Sequence, residues 1–223
     1  MSEEQASRGP QRALVFIDGA NFYRRLKEVG VGDPNRLDLQ LVASKLAGPA
    51  RRVLEIRYYT GKVEAGGAQR VFASHQRLLA SLHQQGVLVR LGRLEQRTEV
   101  NPLADELLRF LAAPPPGIER LQPEAYDALH AMASGHRKVE YWIQKAVDTF
   151  LAVDIAQLAV DDGYDVAYLL SQDGDLTPGI ELARRYGKKV FGVGPAGRNY
   201  HIKQACDHYI VIDAGWLADC YLE

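Results

Sequence analysis

The chain has 223 residues and 24.8 kDa, is 47% hydrophobic and 25% charged, and balances 27 Lys+Arg against 28 Asp+Glu for a formal charge of −1. That is globular usage, long enough to hide about 70% of the unfolded surface, and it excludes disordered, collagenous and disulfide-stapled chains. No apolar run reaches the ~20 residues that span a bilayer. The polar start MSEEQASRGPQR does not read as a signal peptide, and Cys206 and Cys220 lack a CxxC spacing, pointing to buried thiols in a reducing, cytoplasmic compartment.

In chain order, Leu14–Ile17 is a short apolar run closed by Asp18-Gly19, which predicts a buried strand ending in a turn. Helices are predicted over Phe22–Glu28 and Leu37–Leu46. Val53–Thr60, rich in β-branched and aromatic residues, reads as the second strand. An amphipathic helix over Gln69–Gln85 closes at Gly86, and Val87–Leu91 is the third strand. Residues 98–137 fall outside the alternation and read as a helical insertion, with helices at Leu103–Ala113 and Pro123–Ala133 around a Pro-Pro-Pro-Gly breaker. Lys138–Asp161 is expected to be one long helix, with Ile143, Val147, Phe150, Asp154 and Leu158 on one face.

Val166–Leu170 is the fourth strand. A helix follows from Pro178 to Tyr186 with Thr177 as its N-cap. Lys189–Val193 is the fifth strand, Tyr200–Ala205 a short helix and Tyr209–Ile212 the sixth strand. Asp213 is expected to cap a terminal helix holding Trp216 and Leu217. Strands apolar on both faces and alternating with helices call for a mainly parallel sheet covered on both sides, a three-layer α/β/α sandwich. The expected organisation is a flexible segment over residues 1–12 and a single domain over 13–223 carrying the insertion.

The near-zero charge hides segregation. Residues 51–97 carry nine bases and three acids, residues 98–175 five bases and fourteen acids, and residues 176–203 six bases and one acid. An acidic centre between basic blocks fits a cation site with a phosphate-attracting rim, and equally fits solvated helix faces.

In parallel sheets, ligands bind beyond the carboxyl ends of the strands, where the winding direction switches. There stand Asp18-Gly-Ala-Asn21 and Ser171-Gln-Asp173-Gly-Asp175. Carboxylates converging from two such turns repel one another unless a hard cation sits between them, and Mg²⁺ or Mn²⁺ suits oxygen ligands. Asp-Gly is also a common turn dipeptide, and Asp175 also reads as a helix cap. Asp148 is a further ligand candidate or a solvated acid. Asp154, inside an apolar stripe, reads as a paired structural acid more than as a ligand. Walker A, GxGxxG, GxSxG, EF-hand and zinc-ligand spacings are missing from the sequence, which leaves the chemistries they carry weakly supported, and nothing in the sequence marks a serine or cysteine nucleophile, which stays open.

With these residues placed, the chain resembles a NYN-domain protein, the LabA-like branch of the PIN-like nucleases. The matching stretches are VFIDGANFY at 15–23, RYYTG at 57–61, KAVDTFLAVDI at 145–155, YLLSQDGDLTPGIELARRYGKKVFGVG at 168–194 and ACDHYIVID at 205–213. Glutamine at 172 stands where relatives often have glycine. The resemblance implies a PIN-like fold and a Mg²⁺- or Mn²⁺-dependent ribonuclease. Asp18, Asp148, Asp173 and Asp175 would hold the metal, Asn21 would support the first carboxylate or touch substrate, and Ser171 would orient a carboxylate or phosphate. It also implies RNA, taken as single-stranded, cut to 5′-phosphate and 3′-hydroxyl ends. Arg24, Arg51, Arg52, Lys145, Arg198 and Lys203 are the candidates for holding the RNA backbone, and Phe22, Tyr23 or Tyr200 for stacking on bases. The competing classes are a non-catalytic RNA-binding or regulatory module, a small-molecule phosphoesterase and a phosphoacceptor domain. A lid, a substrate wall and a homodimer surface are the options for the insertion.

Overall fold

The computed structural model describes residues 9–63, 69–118, 121–197 and 200–222, with backbone alone at Leu94, Gln96, Trp142 and Gln144. The chain divides into two compact units, residues 1–93 with 144–223, and residues 94–143.

Six strands of the sheet run parallel: β1 (Gln11–Asp18), β2 (Arg51–Gly61), β3 (Leu88–Val100), β5 (Val166–Leu170), β6 (Lys189–Gly194) and β7 (His208–Val211). Their order is β3-β2-β1-β5-β6-β7, and β4 (Lys138–Lys145) follows β3 at the edge. The winding direction reverses between β1 and β5. Register fixes which residues share an edge: Gln11 pairs with Arg51 where the strands begin, and Asp18 with Tyr59 where they end. Ile17 pairs with Leu170 on the other side.

Alternation along β1 builds two cores. Ala13, Val15 and Ile17 face α1 (Gly19–Glu28) and α2 (Leu39–Ala47), joining Phe22, Leu26, Val42 and Leu46. Leu14 and Phe16 face α6 (Val147–Val160), α7 (Thr177–Arg185) and α8 (Tyr200–Ala205), joining Leu151, Ile155, Ile180 and Ile202. The result is the three-layer α/β/α sandwich that the alternating pattern calls for. α3 (Gln69–Gln84) belongs to the first helical layer and buries only Leu82. Among the described residues no helix is long and apolar enough to cross a membrane.

The second unit, residues 94–143, contains α4 (Pro102–Ala112) and α5 (Pro123–Gly135) with the distal part of β3 and most of β4. Asn101 starts α4 by accepting the Leu103 and Ala104 N–H groups, a side-chain cap that satisfies two otherwise unpaired donors. Asp105 holds Arg137 at 2.9 Å and Arg109 at 3.1 Å.

Several expectations are corrected. Lys138–Asp161 is not one helix: Lys138–Lys145 is strand β4, Ala146 takes a left-handed φ of 68°, and the helix begins at Val147. The stretch KVEYWIQK is rich in valine, tyrosine, tryptophan and isoleucine, a strand composition that an apparent helical stripe concealed because no Gly or Pro marks the break. Ile143 therefore lies off the helix, and Phe150 is part-exposed while Leu151 and Ile155 are buried. The predicted terminal helix is a run of turns; Asp213 does accept the Trp216 N–H at 2.8 Å, but the helix does not propagate. Thr177 is the first residue of α7 rather than its cap. Residues 11 and 12 lie in β1, not in a flexible segment, and residues 1–8 lie outside the described set.

Candidate metal centre

Asp18 ends β1 and starts α1. One of its carboxylate oxygens accepts the Asn21 N–H at 3.1 Å, so it is the N-cap of α1. The other accepts the Ser171 hydroxyl at 3.0 Å, from the turn after β5. The same Ser171 oxygen accepts the Asp173 N–H at 3.1 Å, and the Asn21 side-chain oxygen accepts the Gln172 N–H at 3.1 Å. Asn21 and Ser171, both buried, thus lace together two turns that lie about 150 residues apart in the chain. Asp173 in turn accepts the Asp175 N–H at 3.0 Å and opens a 3-10 turn over Gly174–Leu176.

Asp148 enters from the first turn of α6. The partial positive charge at the amino ends of α1 and α6 favours carboxylates there. Asp18, Asp148 and Asp173 each bring a carboxylate oxygen within 4.8 Å of the others. Asp18 is only 3% exposed. Burial pushes its carboxyl up to about 6, the charges of Asp148 and Asp173 add to the rise, and the Asn21 and Ser171 hydrogen bonds oppose it. Asp148 is raised as well, by desolvation first and then by Asp173 and Asp175. Oxygen-only donors that raise one another's proton affinity fit a hard dication.

The remaining sequence candidates separate by position. Asp175 stands exposed outside the trio, although its charge reaches Asp148. Arg24 is exposed on α1, Lys145 ends β4 three residues before Asp148, and the Lys203 ammonium lies 5.1 Å over the Tyr209 ring. Arg51 and Arg52 are corrected: both lie where β2 begins, about 20–25 Å along the strand from Asp18 at 3.3 Å per residue. Arg51 packs there over the Phe191 ring at 5.2 Å and donates to the Tyr168 hydroxyl at 3.1 Å. Arg198 lies outside the described residues. Of the stacking candidates, Phe22 is buried, whereas Tyr23 and Tyr200 are exposed.

Asp154, two turns along α6, is a paired acid. It accepts from the Tyr59 hydroxyl at 2.7 Å and from Arg57 at 2.9 Å, and meets Arg90 at 3.2 Å. Two residues near the trio escaped sequence reasoning. Tyr58 packs so close that a Cβ on Gly19 would run into its ring, and His201 lies against Gly174. Tyr58 stands in the RYYTG stretch but nothing there singles it out, and His201 has no motif signal, because both contacts depend on how separate elements meet.

The family model of the NYN domain matches residues 12–213. The chain belongs to the NYN family. The match includes both acid-bearing turns, α6 and the inserted unit of this NYN chain. No curated protein is similar enough to count as a match. A solved structure that resembles it is Glycyrrhiza uralensis UGT73P12 complexed with glycyrrhetinic acid 3-O-monoglucuronide, at 12% identity and a TM-score of 0.31. That alignment covers 84% of this chain and 29% of that one.

Proposed function

We propose that this NYN domain is a metal-dependent ribonuclease, and that within the family its VFIDGANFY and SQDGD turns ally it with the LabA-like branch. The observation that carries the reading is the convergence of Asp18, Asp148 and Asp173 beyond the strand ends, where the sheet reverses its winding. A bound Mg²⁺ or Mn²⁺ supplies positive charge to a phosphodiester and acidifies water there. Asp18, Asp148 and Asp173 are the proposed ligands. Asn21 and Ser171 hold Asp18 and the Ser171–Asp175 turn in register, which spares the site reorganisation when charge develops. Asp175 adds negative charge next to Asp148 without joining the ligand set. Arg24, Lys145 and Lys203 remain the proposed contacts to the RNA backbone, and single-stranded RNA is the substrate class. Two free, buried thiols support a reducing, cytoplasmic setting.

The test is cleavage of labelled single-stranded RNA by the full chain with Mn²⁺, with Mg²⁺ and with EDTA. Product is expected only with metal, falling by roughly 100-fold or more in Asp18→Asn. RNA that stays intact in Mn²⁺, or a D18N protein as active as the parent, overturns the reading. A salt-sensitive complex without product would instead assign a non-catalytic RNA-binding module.

A further inference from the structure

We infer that the groove between α1, β2 and α3 receives one unstacked nucleobase of the RNA strand whose phosphate is held at Asp18, Asp148 and Asp173. The inference rests on the ribonuclease reading and deepens it.

The groove follows from how α3 docks. Only Leu82 of that helix is buried, with Leu78 partly packed on the core. The amino-terminal half, which carries Val71 at 57% exposed, lines an open groove of about 570 Å³ instead of closing it. That volume lies within the ordinary range of small-ligand sites. One wall is Gly19, Ala20 and Tyr58, and the other is Val71, Ser74 and His75. Gly19 and Ala20 directly follow Asp18, so the groove starts one residue from the candidate metal ligand, at the same edge of the sheet.

The chemistry of the lining selects the occupant. The walls are mainly apolar and include the rings of Tyr23 and Tyr58, which suit the flat faces of a base; base–aromatic stacking is tolerant of sequence. Asn35 and Ser74 also line it and offer donors and acceptors to a base edge. His75 is held below its ordinary pKa by burial, with a backbone hydrogen bond to Gly61 opposing the shift, so at neutral pH its imidazole adds a polar edge without charge. Among the described residues of the lining, Arg70 is the charged one, and neither Asp nor Glu stands there. A cation beside apolar walls complements a nucleotide, whose base is neutral and whose phosphate is anionic. An acyl chain leaves these polar groups unsatisfied.

The experiment walks a single abasic nucleotide through a short labelled RNA, with the full-length protein in Mn²⁺. Cleavage efficiency and binding anisotropy are read on the same oligonucleotides. One position relative to the scissile bond should lower kcat/KM and affinity by roughly 5- to 100-fold, the worth of one base stack. Ser74→Trp, which fills the groove, and Arg70→Ala should weaken RNA by a similar factor, and S74W should no longer respond to the abasic position. Mn²⁺ affinity should be unchanged in both variants, because neither residue belongs to the trio. Equal cleavage and binding at every abasic position overturns the base site, as does a folded S74W that handles RNA like the parent. Absence of metal-dependent product from the parent overturns the ribonuclease reading alone; the abasic walk then still decides the groove through anisotropy, and RNA that is not bound at all overturns both.

Discussion

Asp18 combines burial, two hydrogen bonds and two like-charged neighbours, and the balance favours its protonated form, with a pKa of about 6. In the unfolded chain an aspartate titrates near 3.9. The folded, metal-free protein therefore binds the extra proton between about pH 4 and 6, and stability falls as pH rises through that window. Replacing the charge by Asp18→Asn should raise the melting temperature in EDTA at pH 7–8, by the equivalent of about 1–3 kcal/mol. That gain should vanish as pH drops toward 4, and a scan of Tm against pH checks both limits. The same proton competes with metal. Calorimetric Mn²⁺ affinity should weaken by about tenfold or more per pH unit below 6, and level off above it. Ser171 donates to Asp18 and accepts from Asp173. Removing its hydroxyl in Ser171→Ala should cost about 10- to 100-fold in Mn²⁺ affinity, the usual scale for a group that orients ligands, with little loss of fold.

The junction between β4 and α6 delivers Asp148. Val147 begins the helix after Ala146 turns the chain through a left-handed φ. Gly92 on β3 makes room for that turn: a Cβ there would lie 2.5 Å from the Val147 side chain and 2.6 Å from the Lys145 carbonyl oxygen. Backbone on one side cannot yield as a rotamer can. Gly92→Ala should shift the start of α6 and Asp148 with it, costing about 1–3 kcal/mol of stability and weakening Mn²⁺. If thermal melts and Mn²⁺ titrations match the parent, the junction does not control Asp148. Farther along α6, the pairing of Asp154 with Arg57, Arg90 and Tyr59 explains how an acid sits in the apolar face of the helix: each oxygen has a partner, so burial leaves no bare charge.

Across the sheet, parallel register sorts residues by edge more strictly than segments of sequence do. The basic block at residues 51–97 looks like one rim, yet Arg51 and Arg52 lie where β2 begins and Asp18 where β1 ends. Arg52→Ala and Arg51→Ala should leave Mn²⁺-dependent RNA cleavage within about twofold of the parent, whereas loss of the Arg51 packing over Phe191 and its bond to Tyr168 should lower Tm, by about 0.5–2 kcal/mol equivalent. A large loss of RNA binding in either folded variant contradicts that placement. Net charge near zero thus says little about a partner, because charges that cancel in the sum are tied up in local pairs such as Arg12 with Asp165 and Asp162.

The layered sandwich, the six parallel strands and the two acid-bearing turns were all legible in the chain, since apolar strands bounded by Asp-Gly turns have one stable way to be covered on both faces. The β4–α6 break was not, because its signal is a left-handed alanine that ordinary helix patterning passes over. Which acids meet, which arginines face the other edge and that α3 leaves a groove beside Gly19 depended on register and packing. Those are relations between segments up to 150 residues apart, and no local pattern encodes them. What residues 13–17 and 166–170 carry is the apolar periodicity that makes the strands; what brings Asp18, Asp148 and Asp173 together is the reversal of winding between those strands.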